Sequence, residues 1–196
     1  MSQDESNIKT FNIITLGSSE VGKTCIIHRY IDNEFISSTI STIGIDCKAK
    51  IFTINSIKYK IIYYDTAGQE RYASSSSKYI KSANGVILVY DITNKKTFSK
   101  IEEWSNILER NNKNYSAVLV GNKMDLESQR EVSTNEGLTL ANKLNIEFFE
   151  TSCLTNQNIE EMMNKISTLT INRFDSKRNS NLSLNKVKKK DGKNCC

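Results

Sequence analysis

The chain has 196 residues and a formal net charge of +5, all of which lies in residues 175–196, where seven basic residues accompany two acidic ones. The rest of the chain is balanced, and because a nucleic-acid-binding domain usually carries its charge on the folded face, this distribution argues against nucleic acid as a partner. The five cysteines lack metal-site spacing and no apolar run reaches the roughly eighteen residues of a membrane span, so we expect a reduced, cytosolic chain.

The first predicted elements flank a glycine-bounded loop. Residues 1–9 are expected to form a flexible leader, followed by a strand at Thr10–Leu16 and a helix at Lys23–Ile31. The sequence GSSEVGKT lies between them at 17–24 and matches the pattern G-x-x-x-x-G-K-[ST]. Because the match lies between a strand and a helix, it predicts a phosphate-binding loop, and the alternative, a flexible serine–glycine turn, is disfavoured.

Each part of this loop has a chemical purpose. Glycines at its two ends let the backbone curl so that N–H groups point at phosphates, and the start of the helix adds positive potential. Lys23 can neutralise the β- and γ-phosphates, while the Thr24 hydroxyl can ligate the Mg²⁺ that accompanies a triphosphate. The predicted phosphate contacts in the loop are Ser19, Glu20, Val21, Gly22, Lys23, Thr24 and Cys25.

The rest of the chain alternates strands and helices. Residues 32–44 are too polar and irregular for either, and predict a long surface loop. Strands at Ile45–Ile54 and Ile57–Tyr64 follow, joined by a hairpin turn at Asn55-Ser56. Three further strands are predicted at Gly85–Asp91, Ser116–Gly121 and Ile146–Glu150.

Helices with apolar faces separate the later strands. One apolar stripe comprises Ile101, Trp104, Ile107 and Leu108, and another comprises Ile159, Met162, Met163, Ile166 and Leu169. This alternation predicts an α/β fold, a P-loop NTPase with three α/β/α layers, a six-stranded, mostly parallel sheet and about five helices.

A second motif, DTAGQE at 65–70, follows the third strand. Asp65, at a strand's carboxyl end, can hold a Mg²⁺-bound water opposite Thr24. The backbone of Gly68 can approach a γ-phosphate closely, and Gln69 can orient an attacking water. These residues add a catalytic step to the predicted phosphate site.

Two more motifs can recognise a base. In GNKMD at 121–125, the Asp125 carboxylate can accept from N1 and N2 of guanine, a donor pair that adenine lacks. Asn122 can reach the other edge, and the Lys123 stem can lie over the purine. In ETSCL at 150–154, backbone N–H groups of Ser152, Cys153 and Leu154 can support the base. All four motifs follow the ends of successive strands, so they are predicted to meet at one edge of the sheet.

From Thr10 to about Arg173 the chain resembles the Ras superfamily of small GTPases, and within it the Rab family. Rab-like features are STIGIDCK at 41–48, YDTAGQERY at 64–72, and a terminal Cys-Cys after a basic tail. The resemblance implies a switch that cycles between GTP and GDP, hydrolyses GTP slowly, and regulates vesicle trafficking through effectors.

The resemblance also implies roles for residues in the surface loops. Thr42 would close onto Mg²⁺ and the γ-phosphate, and Phe35 would pack on the guanine. Residues 32–44 and 65–80 would be the two switches, ordered by GTP and released after hydrolysis. The metal ligands implied are Thr24, Thr42 and Asp65.

Partners and location follow from the same resemblance. They would include a nucleotide exchange factor, a GTPase-activating protein, a dissociation inhibitor, a prenylation escort and effectors, acting on a monomer. Residues 10–173 would form the GTPase domain, and 174–196 a tail predicted to be disordered because it is polar and basic. Cys195 and Cys196 match the Rab site for double geranylgeranylation, which predicts lipid anchoring on the cytoplasmic face of an intracellular membrane, with a cytosolic pool.

Four residues depart from the family pattern. Glu20 stands beside the phosphates, where a small residue is usual and where like-charge repulsion could weaken binding or speed exchange. Cys47 replaces phenylalanine and Tyr64 replaces tryptophan in the surface that effectors touch. Leu154 replaces the lysine of Ser-Ala-Lys in the base motif.

Two other function classes remain possible from the residues. An ATP-using P-loop enzyme, such as a kinase, is disfavoured by Asn122, Lys123 and Asp125. A GTP-binding scaffold without hydrolysis is disfavoured by Gln69 and Thr42, whereas Glu20 leaves it open.

Overall fold

The computed structural model describes residues 8–36, 45–66 and 73–188. The strands are β1 (Lys9–Leu16), β2 (Ile45–Ile54), β3 (Ile57–Thr66), β4 (Gly85–Asp91), β5 (Ser116–Asn122) and β6 (Glu147–Thr151). The helices are α1 (Lys23–Asp32), α2 (Ala73–Ser82), α3 (Lys95–Ser99), α4 (Ile101–Asn111), α5 (Thr134–Leu144) and α6 (Ile159–Lys188), with a 3₁₀-helix at Met124–Gln129.

The strands form one sheet in the order β2-β3-β1-β4-β5-β6. Only the β2–β3 pair is antiparallel, and the other four pairs are parallel. The prediction of an α/β fold with a six-stranded, mostly parallel sheet is therefore confirmed. The described ranges contain six α-helices, one above the expected number, because Lys100 separates α3 from α4.

Apolar helix faces cover both sides of this sheet. Every residue of β4 and β5 is buried, as expected for central parallel strands covered on both faces. One core lies between the sheet and α1 and α6, and the other lies under α2, α4 and α5. The two predicted apolar stripes contribute to these cores, as Trp104 on α4 and Met162 on α6 illustrate.

The β2–β3 hairpin confirms the predicted turn. Asn55 and Ser56 have φ angles of 50° and 65°. Two successive residues with positive φ match the twist of the flanking strands, as in the two-residue turns that favour hairpins. Strand β3 extends to Thr66, two residues beyond its predicted end, so Asp65 belongs to the strand.

The predicted surface loop is described only at its start. Asn33 ends α1 in the left-handed conformation, with φ 57°, and residues 34–36 have no regular structure. Residues 37–44 lie outside the described residues, and so does Thr42.

Ordered contacts continue past Arg173, where the GTPase domain is predicted to end. The ring of Phe174 lies 5.9 Å from that of Phe11, and Tyr59 donates a hydrogen bond to Asp175 at 2.8 Å. The folded unit therefore includes two residues assigned to the tail, and the helical backbone of α6 continues to Lys188. Extending a docked helix needs no new nucleus, and residues 174–188 contain no glycine or proline to end it. Residues 189–196 lie outside the described part of the chain.

Among the described residues, no helix is both long and apolar enough to span a bilayer.

Candidate nucleotide-binding site

The phosphate-binding loop connects β1 to α1 at the carboxyl edge of the sheet. Gly17 and Gly22 have φ angles of 149° and 96°, which L side chains rarely adopt. A Cβ atom on Gly17 would lie 2.1 Å from the Val89 carbonyl oxygen, and one on Gly22 would lie 2.2 Å from Nδ2 of Asn122. Both positions therefore require glycine for backbone conformation and for packing.

Replacing Gly22 with alanine is expected to weaken GDP binding at least tenfold and to lower the free energy of unfolding by about 1–3 kcal/mol from the backbone strain alone. The new methyl group would also displace the Asn122 amide. Thermal unfolding and GDP titration would test this, with alanine at the exposed Ser128 as the control. Wild-type affinity in the Gly22→Ala protein would contradict the assigned loop geometry.

Lys23 is folded into the loop that precedes it. Its side chain is 5% exposed, and Nζ donates to the carbonyl oxygens of Gly17 at 3.1 Å and Ser18 at 2.7 Å. Burial lowers the Lys23 pKa to about 8, and the nearby Asp65 carboxylate opposes this shift. An added anion would favour the charged ammonium, so the loop is electrostatically prepared for phosphate.

The affinity for nucleotide should therefore change with pH in the alkaline range. Well below its pKa of about 8, Lys23 is charged with or without ligand, so it contributes no pH dependence there. Above pH 8 the free protein must take up a proton to bind, because bound phosphates raise the Lys23 pKa, and affinity should fall by up to about tenfold per pH unit. GDP titrations from pH 7 to 9.5 would measure this, and Lys23→Met should remove the slope. A flat profile in the wild type would contradict the prediction.

Thr24 and Asp65 meet beside the loop. Thr24 Oγ1 donates a hydrogen bond of 2.7 Å to Asp65 Oδ2, which joins the start of α1 to the end of β3. No group of three or more His, Cys, Asp or Glu in the described ranges could hold a metal. Two oxygen-bearing side chains nevertheless fit Mg²⁺, which commonly takes one or two protein ligands together with phosphates and water.

Asn122 joins three of the motifs. Its Nδ2 donates to the Val21 carbonyl oxygen at 2.8 Å, and its Oδ1 accepts from Thr151 Oγ1 at 3.1 Å. The Cys153 Sγ lies 3.7 Å from the same Oδ1. With its amide bonded to Val21 and Thr151, Asn122 holds the phosphate loop and the base motifs together. The Nδ2 group has a second hydrogen, so the contact of Asn122 with the base stays a prediction.

Asp125 is oriented by a residue of the fourth motif. Ser152 Oγ donates to Asp125 Oδ1 at 2.5 Å, and Ser152 is fully buried while Asp125 is exposed. The same Ser152 oxygen accepts from the Thr155 backbone N–H at 3.1 Å. A carboxylate held in one orientation at the surface can accept two parallel hydrogen bonds from a ligand.

Comparison with known proteins agrees with this geometry. Residues 12–172 match the Ras family model. Ras-related protein Rab-15 from Bos taurus is 38% identical over 191 residues, covering 93% of this chain and 90% of that protein. Ras-related protein Rab-3C from Bos taurus is 40% identical over 166 residues, covering 84% and 73%. The chain belongs to the Ras family and is a Rab small GTPase.

As a Rab GTPase, the protein binds GTP and GDP and hydrolyses GTP. Rab proteins act on intracellular membranes in vesicle trafficking, and the chain belongs to that group. The roles of the predicted site residues stay predictions. Five of these residues lie outside the described part of the Rab chain: Thr42, Gly68, Gln69, Cys195 and Cys196.

Sequence reasoning missed the partner of Lys123 in this Rab. Lys123 has a φ of 68°, and its Nζ lies 2.6 Å from Oδ2 of Asp91. Asp91 is buried at the carboxyl end of β4, where its Oδ1 also accepts from the backbone and side chain of Thr93. Its position at the carboxyl end of a strand, like that of Asp65, is the signal that could have identified it.

A second missed contact supports the base motifs. The guanidinium of Arg130 binds both carboxylate oxygens of Glu150, at 2.6 and 3.2 Å. This pair joins the segment after Asp125 to the last strand, and both side chains are mostly buried. The hydrogen bonds that Arg130 donates to Glu127 and Glu150 raise its pKa, so it is charged at every accessible pH.

The departures from the Rab pattern have definite surroundings. Glu20 is exposed, with a φ of 65°, so solvent screens the repulsion expected from it. Cys47 is exposed and pairs in register with Tyr64, whose ring lies 5.2 Å from that of Tyr79. The Leu154 side chain is 53% exposed. None of these four residues distorts the phosphate-binding loop at 17–24, which the structure describes in full.

Proposed function

We propose that this Rab GTPase is a molecular switch whose GTP and GDP forms differ in residues 32–44 and 65–80. The bridging amide of Asn122 is the main support, because it brings the phosphate loop and both base motifs to one place. Hydrolysis without a partner is expected to be slow, since transfer of a phosphoryl group depends on positioning and charge stabilisation that GTPase-activating proteins often complete.

At the phosphate end, residues 19–25 would hold the α-, β- and γ-phosphates through backbone N–H groups and the Lys23 ammonium. Thr24, Asp65 and Thr42 would hold Mg²⁺, which neutralises charge on the β- and γ-phosphates when bound. Gln69 would orient the attacking water, and the Gly68 backbone would contact the γ-phosphate.

At the base end, Asp125 would accept two hydrogen bonds from guanine. Phe35 and the stem of Lys123 would cover its two faces, while Ser152, Cys153 and Leu154 would support its edge. The Ser152–Asp125 hydrogen bond and the Asp91–Lys123 ion pair support this assignment, because they orient groups that would otherwise rotate.

The nucleotide that co-purifies with the protein, together with single-turnover hydrolysis, tests this proposal. Bound GDP or GTP and slow release of phosphate would support it. Bound ATP would instead indicate an ATP-using enzyme, and bound GTP that stays intact on adding an activating protein would indicate a non-hydrolysing scaffold.

We also propose a lipid anchor at Cys195 and Cys196. One lipid chain gives marginal, reversible attachment, and a second makes it stable. The neighbouring lysines would add at most about 1 kcal/mol each near an anionic leaflet. An exchange factor, a GTPase-activating protein, a dissociation inhibitor, a prenylation escort and effectors would then govern a protein that moves between cytosol and membrane.

Replacing both terminal cysteines with serine is expected to leave GDP binding intact and to move the protein into the cytosol. Replacing lysines 186, 188, 189, 190 and 193 with glutamine should weaken or redirect membrane binding without abolishing it, since the lipids remain. Cell fractionation would measure both. A double-serine protein that sediments with membranes like the wild type would place the anchor elsewhere.

A further inference from the structure

Arg29 lies on α1, away from the phosphate loop, and contacts the segment after β6. Its Nε donates to the Cys153 carbonyl oxygen at 2.8 Å, and its Nη2 donates to the Leu154 carbonyl oxygen at 3.3 Å. These two carbonyls belong to the segment proposed to support the base. One arginine therefore holds the backbone of this segment through two hydrogen bonds.

The same guanidinium contacts the segment after α1. Nη1 donates to the Asn33 carbonyl oxygen at 3.0 Å, and the guanidinium carbon lies 5.8 Å from the centre of the Phe35 ring. A cation over an aromatic face at this distance is attractive. Phe35 is the residue proposed to cover the guanine, and 40% of its surface is exposed. Arg29 thus touches two segments that enclose the proposed base site.

The chemistry of arginine suits this arrangement. Its planar fork carries five N–H groups at fixed angles, and three different nitrogens are used here on three carbonyl oxygens. A lysine in its place would keep the positive charge but present one ammonium nitrogen, which cannot reach both segments with the same geometry. Cys153 is buried, so its carbonyl would lose a partner that water cannot easily replace.

We propose that Arg29 is a positioning residue that couples the two sides of the guanine site, so that the rate of nucleotide release depends on it. While the fork is intact, Phe35 and residues 153–154 are held at a fixed separation. Loss of the Arg29 guanidinium releases Phe35 and residues 153–154 together. The inference rests on the proposed guanine site.

Base selectivity and catalysis should not depend on Arg29. Selectivity is assigned to Asp125, which is oriented by Ser152, and hydrolysis is assigned to Gln69 and Mg²⁺; none of the Arg29 contacts described involves these groups. Loss of Arg29 should therefore raise the release rate of GDP and of IDP by the same factor. Their ratio, and the single-turnover rate of bound GTP, should stay as in the wild type.

The test compares Arg29→Lys with Arg110→Lys, which keeps the same chemistry on the exposed surface of α4. Release of a fluorescent GDP analogue should be at least about tenfold faster in Arg29→Lys, since hydrogen bonds to a charged group are worth that factor or more. Arg110→Lys should stay within about twofold of the wild type. Release at the wild-type rate from folded Arg29→Lys protein would overturn the proposal.

A double-mutant cycle with Phe35→Ala separates coupling from general destabilisation. If Arg29 acts through both sides, the double variant should release GDP more slowly than the product of the two single effects predicts. Additive effects would overturn the proposal. So would equal acceleration in Ser167→Ala, which removes a buried hydrogen bond between α6 and Tyr63.

If the assignment of the guanine site is wrong, the binding measurements would give a different result. The wild type would then show no measurable affinity for GDP, or Asp125 variants would bind guanine and xanthine nucleotides as the wild type does.

Discussion

Replacing Asp125 with asparagine is expected to change the preferred base from guanine to xanthine. The carboxylate can accept from N1–H and N2–H₂ of guanine, whereas xanthine has a carbonyl at C2 that needs a donor, which the asparagine amide supplies. Sites that hydrogen-bond a ligand group reject analogues lacking it by about 10⁴ or more. The Ser152 hydroxyl, 2.5 Å from Asp125, can donate to either side chain and so keep the new amide oriented.

Competition between GDP and XDP for the purified protein would measure this change. Glu127→Gln is the matched control, because it neutralises an exposed carboxylate on the same 3₁₀-helix that is not a proposed ligand of the base; glutamine keeps an oxygen that can accept from Arg130. The control should keep the wild-type preference. Equal affinity of the wild type for ATP and GTP would end the assignment of Asp125 as the base reader.

Replacing Gln69 with leucine is expected to leave GTP bound but nearly stop its hydrolysis in the presence of an activating partner. Leucine cannot hold a water in line with the γ-phosphate, and the stabilising group such a partner supplies is worth about 10³–10⁵ in rate for this class of enzyme. Thr24→Asn should act at the other end of the cycle by favouring the GDP-bound or empty form, because it alters a proposed Mg²⁺ ligand.

Single-turnover release of phosphate, with and without an activating protein, would test the role of Gln69. Gln129→Leu makes the same replacement at an exposed position after Asp125 and should behave as the wild type. If Gln69→Leu hydrolyses GTP at the wild-type rate in both conditions, the catalytic role is wrong.

Local signals in the sequence were sufficient for most of the architecture. The apolar runs of β4 and β5 and the alternation of strands with helices predict a parallel sheet, and the Asn55-Ser56 turn predicts the hairpin that the structure contains. These features depend on neighbouring residues, through backbone conformation and hydrophobic periodicity. The ends of elements were less certain, and β3 runs to Thr66 because its pairing with β2 continues past Tyr64.

The contacts of Phe174 and Asp175 could not be predicted from composition. A polar, basic stretch from Phe174 indicates disorder, yet Phe174 and Asp175 pack against residues of β1 and β3. These partners lie 116 residues or more before Phe174 and Asp175 in the chain, so nothing in the tail's own sequence identifies them. Tertiary contact overrides local propensity where it partly covers an aromatic ring and satisfies a carboxylate.

The sequence by itself determined which residues could bind phosphate, Mg²⁺ and guanine, since those motifs are short and their glycines set the local backbone. Only the tertiary structure decided how these residues are held. Asn122 reaches Val21 across 101 residues, and Arg29 reaches Cys153 across 124. Such contacts depend on which strand ends lie side by side in the sheet, and this order is a property of the folded chain, because hydrogen bonds between distant side chains and backbone leave no periodic or local pattern in the sequence.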